Sequence, residues 1–228
     1  LMQRLNLADL LSELGELAEA TAIVEDVGRV GGSSGDSDDL VRSYSRQVSG
    51  RMAARRGDWA LAREGYTAAL RCFEKKLGSE SRYALLVRID LAQLGLREGR
   101  SSDALEALGA RPDSWPGVLG WSAQLLKAEA LCVQGATEEA RRLLAEASTR
   151  GTARALLLLA DIAIREGEAD EAFALLQKLR RAALPREAEF MARLHLVMAE
   201  ARCLKGLPDA AELSARLAEL SIQRGGLQ

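Results

Sequence analysis

Aromatic residues are scarce in this chain: three Trp, three Tyr and three Phe amount to 4% of its 228 residues. A core must therefore be assembled from Leu, Ala, Val and Ile, and the abundance of Ala and Leu favours helix. Only four prolines interrupt the chain. Cysteine is also sparse. Cys72, Cys132 and Cys203 stand apart, odd in number and without a C-x-x-C pair. Buried apolar thiols in a reducing, cytoplasmic compartment are expected, not a disulfide framework. Neither sign of charge dominates: 31 Lys and Arg face 33 Asp and Glu, for a net −2 and a pI of about 5.7. Nothing in that balance attracts phosphate backbones or anionic membranes, so neither a nucleic-acid nor a membrane partner is expected.

Long apolar runs are missing too; none reaches the roughly 18–20 residues that span a bilayer. The first residues carry no basic stretch followed by a long apolar run, so no secretory leader is expected. The chain opens with Leu1 and not Met, as an excerpt of a longer protein would. The groups of catalysis are equally thin. His195 is the only histidine; Glu200, five residues on, points elsewhere on an ideal helix, so a surface or interface role is expected. No G-x-S-x-G elbow and no close set of metal ligands occurs. The loop GGSSGDSDD (31–39) lacks a phosphate-loop spacing and a lysine, and Asp36, Asp38 and Asp39 lack the EF-hand spacing. It reads as a solvated linker whose acidic end favours the start of the next helix. An enzyme is not expected, nor a metal or cofactor.

What the chain does have is a recurring phase. A glycine is followed five residues later by an alanine six times: Gly15 and Ala20, Gly57 and Ala62, Gly99 and Ala104, Gly135 and Ala140, Gly167 and Ala172, Gly206 and Ala211. Seven residues before each glycine stands another small residue: Ala8, Gly50, Ala92, Ala128, Ala160 and Ala199. Each glycine is placed to end a helix in a left-handed conformation. The next helix then begins within a few residues, with Asp58, Ser101 and Thr137 as caps and Pro208 in a first turn. The small residues let the two helices of each hairpin approach closely.

Four segments carry a resemblance to the tetratricopeptide repeat family: GDWALAREGYTAAL (57–70), GRSSDALEAL (99–108), GATEEARRLLAEA (135–147) and GEADEAFALLQKL (167–179). The glycine steps of 42, 42, 36, 32 and 39 residues depart from the family's unit of about 34. The stretch Leu70–Leu91, with CFEKKLGSESRYA at its centre, is similar to the longer repeats of kinesin light chains and of bacterial signalling proteins. The resemblance implies an all-α fold, a right-handed α-α superhelix of about six helix pairs. Those pairs are expected near 1–29, 39–78, 80–109, 117–149, 152–182 and 186–224. One solenoid over 1–228 is expected, and RPDSWPG (111–117) marks where it can divide into lobes 1–110 and 117–228. The last helix, from Pro208 to about Arg224, would act as a cap.

In that family, groove-facing positions lie six and two residues before the turn glycine. The first set here is Asp9, Arg51, Gln93, Glu129, Asp161 and Glu200, all polar; the second is Glu13, Arg55, Arg97, Val133, Arg165 and Leu204. The resemblance thus implies a basic patch of Arg51, Arg55 and Arg97, suited to a carboxylate or phosphate. It implies an acidic stretch of Glu129, Asp161 and Glu200, with Arg165 among them. The alternative is a solvated groove of internal Arg–carboxylate pairs. No Asn stands in the first set, so the chaperone-type carboxylate clamp is not expected. Trp59 is expected to pack between helices. Trp115, between two prolines, suits either a partner anchor or a plug between lobes. The expected role is a scaffold or regulatory domain for a protein or peptide partner, with self-association through the stack ends as a further version. The alternative is a ligand- or peptide-sensing domain of a larger bacterial signalling or transcription-regulatory protein.

Overall fold

The computed structural model describes residues 1–30, 36–109, 114–149, 152–181 and 188–224. Among the described residues there are twelve α-helices and no strand. In chain order they are α1 (Met2–Glu13), α2 (Leu17–Val30), α3 (Asp36–Arg55), α4 (Trp59–Leu77), α5 (Arg82–Arg97) and α6 (Ser101–Leu108). They continue as α7 (Gly117–Val133), α8 (Thr137–Thr149), α9 (Ala153–Arg165), α10 (Ala169–Arg181), α11 (Ala188–Leu204) and α12 (Pro208–Arg224). Residues 31–35 of the Gly-rich loop and 111–113 of the second break lie outside the described residues.

Each of the six turn glycines separates an odd-numbered helix from the next, with φ between 69° and 88°. The turns share one hydrogen-bond pattern. The N–H after the glycine donates to the carbonyl four residues before it at 2.7–2.9 Å, and the glycine N–H donates to the carbonyl three before it at 2.9–3.3 Å. This is the paired closure that satisfies the last carbonyls of a helix, and only glycine reaches its φ without strain. Asp58 caps α4, its carboxylate accepting from Leu61 N at 3.1 Å. Pro208 opens α12. Ser101 and Thr137 are not caps: each is already the first helical residue, and Arg100 holds the flanking position of α6 without a side-chain bond. Ser81 instead caps α5, accepting from Ala84 N at 3.3 Å.

The small residues are where the turns require them. Ala8, Ala20, Ala62, Ala92, Ala104, Ala128, Ala140, Ala160 and Ala172 are sealed from solvent, and Ala199 and Ala211 nearly so. A Cβ on Gly50 would meet the Tyr66 ring at 2.8 Å. One on Gly65 would meet the Arg46 carbonyl at the same distance. Helices α3 and α4 are thus packed almost backbone to backbone along this seam.

Two compact units result, Leu1–Ala130 and Leu131–Gln228. The division falls inside α7, C-terminal to the break read at 111–117. In the first unit each hairpin packs on itself, and α1 touches α3, α3 touches α5, α2 touches α3 and α4 touches α5. In the second unit the same pattern holds: α9 touches α11, α8 touches α9 and α10 touches α11. Among the described residues, three apolar clusters lie in the first unit, around Leu5 and Val27, around Tyr66 and Phe73, and around Leu85 and Leu108. Trp59 packs against the second of these. Trp115 belongs to the third and is 7% exposed. The indole shares that cluster with Leu85, Ala104 and Leu108. Cys132 is buried and Cys72 half-buried, but Cys203 is exposed, against expectation.

Neighbouring hairpins also meet at one repeated point. The residue six after a turn glycine contacts the residue just before the next turn glycine, at each of the four junctions inside the units. Arg56 donates to Thr21 Oγ1 at 2.9 Å. Arg63 bonds Glu98 and lies 3.2 Å from Asp103. Arg141 donates to Glu166 at 2.5 Å and Glu171 at 2.8 Å. Lys205 sits 5.7 Å from the Phe173 ring centroid. Hydrogen bonds to the Glu171 and Glu166 carboxylates hold the Arg141 guanidinium above its ordinary pKa. One geometry is thus met by three chemistries, the guanidinium–carboxylate pair occurring once in each unit.

Candidate functional site

The first unit contains an open cleft of about 330 Å³ on the side of its first helices. α1 supplies Glu13, α3 supplies Arg51 and Arg55, α5 supplies Asp90, Gln93 and Arg97, and the Tyr66 ring closes it from α4. Four of the sequence-derived candidates, Arg51, Arg55, Gln93 and Arg97, are therefore brought together. They converge because equal phase from the turn glycine puts Arg51 beside Asp9 and Arg55 beside Glu13, in each case 42 residues apart.

Arg51 is fully engaged. Its Nη1 donates to Asp9 Oδ2 at 2.5 Å, its Nε lies 3.1 Å from both Asp90 oxygens, and its Nη2 lies 3.1 Å from Asp90 Oδ2. Gln47, sealed from solvent, donates to the same Asp90 oxygen at 2.6 Å. Burial works against the charge on Arg51, but Asp90 and Asp9 outweigh it and raise the guanidinium pKa above its ordinary value. Burial also pushes Asp90 up, while Arg51 and Gln47 pull it down. The two shifts conflict, because Arg51 is stabilised only by an ionised Asp90. We take the pair as ionised: four donor contacts converge on this carboxylate, which lies 8% exposed. Arg51 is thus a strut joining α1, α3 and α5.

Arg55, one turn on, is held less tightly. Its Nη1 donates to Ser12 Oγ at 2.6 Å, but its Nη2 reaches Glu13 only at 3.4 Å. Arg97 and Gln93 are exposed on the opposite wall. The Tyr66 phenol pKa is raised, first by burial and then by the charge of Asp90, so it stays a hydrogen-bond donor. The expected basic patch therefore splits, with Arg51 held between Asp9 and Asp90 and with Arg55 and Arg97 nearer the solvent.

The remaining candidates do not join this cleft. Glu129 is half-buried on α7, in the first unit. Asp161, Arg165 and Glu200 belong to the second unit. There the buried Asp161 accepts from Arg165 at 3.4 Å and from Arg193 at 3.3 Å. Burial, and then the Asp161 charge, raise the Glu200 carboxyl. Val133 and Leu204 are exposed. Among the described residues no cluster of His, Cys, Asp or Glu is arranged to hold a metal ion, and no helix is long and apolar enough to cross a membrane.

Sequence reasoning missed Gln47 and Asp90, the two buried members of the network. Asp90 left a signal: it is the lone acid in the apolar run YALLVRIDLAQLGL (83–96). Gln47 left none. No protein-family model matches the chain, and no curated protein matches it.

Proposed function

We propose that this chain is a tetratricopeptide-like right-handed stack of α-hairpins that acts as a cytoplasmic scaffold, holding a segment of a partner protein against its first helices. Three features support the stack: the shared turn pattern, the buried small residues in phase, and the junction contact repeated inside both units. The cleft of the first unit carries the binding reading, because three successive first helices present polar and cationic groups to one concavity.

A photo-reactive cross-linker at Gln93, on the cleft wall, is expected to capture a partner protein from the native extract. The same group at Arg71, exposed on α4, is not. Equal capture at both positions, or at neither, refutes the reading. The cleft volume of about 330 Å³ also suits a second reading, a small-molecule sensing domain within a larger signalling protein, since it reaches the lower end of ligand pockets.

A further inference from the structure

We infer that the chain associates with itself, α1 of one copy packing antiparallel on α12 of a second copy through matching leucine stripes. Leu7, Leu10 and Leu14 are 48–78% exposed, and Leu213, Leu217 and Leu220 are 39–58% exposed. Both stripes depart from the pattern of the other hairpins. Five residues before the later turn glycines, the equivalents of Leu10 are Met52, Leu94, Ala130, Ile162 and Ala201, all buried. Seven and fourteen residues after the glycine, where α12 has Leu213 and Leu220, α4 has Glu64 and Arg71. A contiguous exposed apolar stripe is the mark of an interaction surface.

The two stripes fit each other. The leucine spacing is three then four on α1, and four then three on α12. Reversing one helix therefore aligns three pairs at once: Leu7 with Leu220, Leu10 with Leu217 and Leu14 with Leu213 of the second copy. This alternation lets two helices interlock their side chains along a seam. Glu13 and Arg216 each stand one residue before a stripe leucine, so the same register brings them together on one flank. Both are exposed. Glu13 now meets Arg55 at 3.4 Å, and Arg216 meets Glu212 one turn back on its own helix; surface pairs of this kind contribute little and are readily exchanged. Pairing α12 with α12 would instead set Arg216 against Arg216. The contact between α1 and α12 is heterologous, so each copy can hold two others.

Three leucine pairs make a small interface, so the association is transient and needs high concentration. Sedimentation equilibrium of the full chain from about 10 µM to about 1 mM tests it. The mass of the parent is expected to rise with concentration from 24.6 kDa. Leu10→Gln and Leu217→Gln should each abolish the rise. An equimolar mixture of the two variants retains one intact α1 stripe and one intact α12 stripe. It should form pairs and stop at twice the single-chain mass. Misfolded variants could not restore each other in this way. A parent that stays monomeric throughout, a rise that survives either substitution, or a mixture in which no pair forms overturns the proposal.

Discussion

Gly65 sits mid-helix in α4, where propensity alone says that alanine should help. Replacing an interior helical glycine with alanine gains about 1 kcal/mol. The packing says the opposite. A Cβ at Gly65 would stand 2.8 Å from the Arg46 carbonyl and 3.3 Å from the Gly50 Cα, both backbone atoms of α3. Backbone cannot rotate away, so α3 and α4 must part by a few tenths of an ångström along their whole seam. Overpacking of this kind costs about 1–3 kcal/mol, and we expect Gly65→Ala to destabilise by about 1–2 kcal/mol net. Gly28 supplies the control: it lies in α2 with open space around its would-be Cβ. Gly28→Ala should therefore stabilise by about 0.5–1 kcal/mol. Trp59, Trp115 and Trp121, the only tryptophans, all lie in the first unit with both glycines. Urea unfolding followed by tryptophan fluorescence thus reports the unit concerned. A Gly65→Ala protein as stable as the parent, or a shift of the same sign for both substitutions, refutes the close-packed seam.

Other perturbations test the network and the junctions. Asp90→Ala leaves Gln47 without an acceptor and Arg51 with Asp9 alone, and should cost about 2–3 kcal/mol in the same fluorescence assay; Asp90→Asn, which keeps an acceptor, should cost about 1 kcal/mol. The single histidine gives one imidazole signal in proton NMR, and its titration midpoint should lie below the ordinary 6.5, because burial and then Arg202 disfavour the charged ring. The sign follows: the stability from His195 is fully present above the unfolded pKa and is lost as pH falls through the lowered folded value. A His195→Gln protein should lose that part of the slope. A double-mutant cycle on Arg141 and Glu171 should give a coupling of about 0.5–1 kcal/mol that shrinks in high salt.

The hairpins were legible because their determinants are local. A glycine with positive φ and small residues at fixed offsets act within one turn of chain, so Gly57 and Ala62 could be placed without knowing the rest. The network around Arg51 was only half legible. Its pairing with Asp9 follows from phase alone, whereas Asp90 and Gln47 depend on which residues α3 and α5 turn toward each other. The junction arginines were visible in principle, since Arg63 and Arg141 both stand six after a glycine and Glu98 and Glu166 both stand one before. Trp115 was ambiguous because burial of a loop residue depends on the distant Leu85 and Leu108, not on its flanking prolines.

The junctions bear on assembly order. Six hairpins with the same turns could dock in many wrong sequences, and repeat chains are prone to such misassembly. Here the within-unit meeting points use three chemistries: hydroxyl to guanidinium, guanidinium to carboxylate, and ring to ammonium. Moving the hairpin with Arg63 against the one with Lys205 would set cation against cation; moving Phe173 against Glu98 would strand a carboxylate on a ring face. Interchange of unlike junctions is therefore penalised at the very spot where correct neighbours lock, whereas the Arg63 and Arg141 junctions share one code.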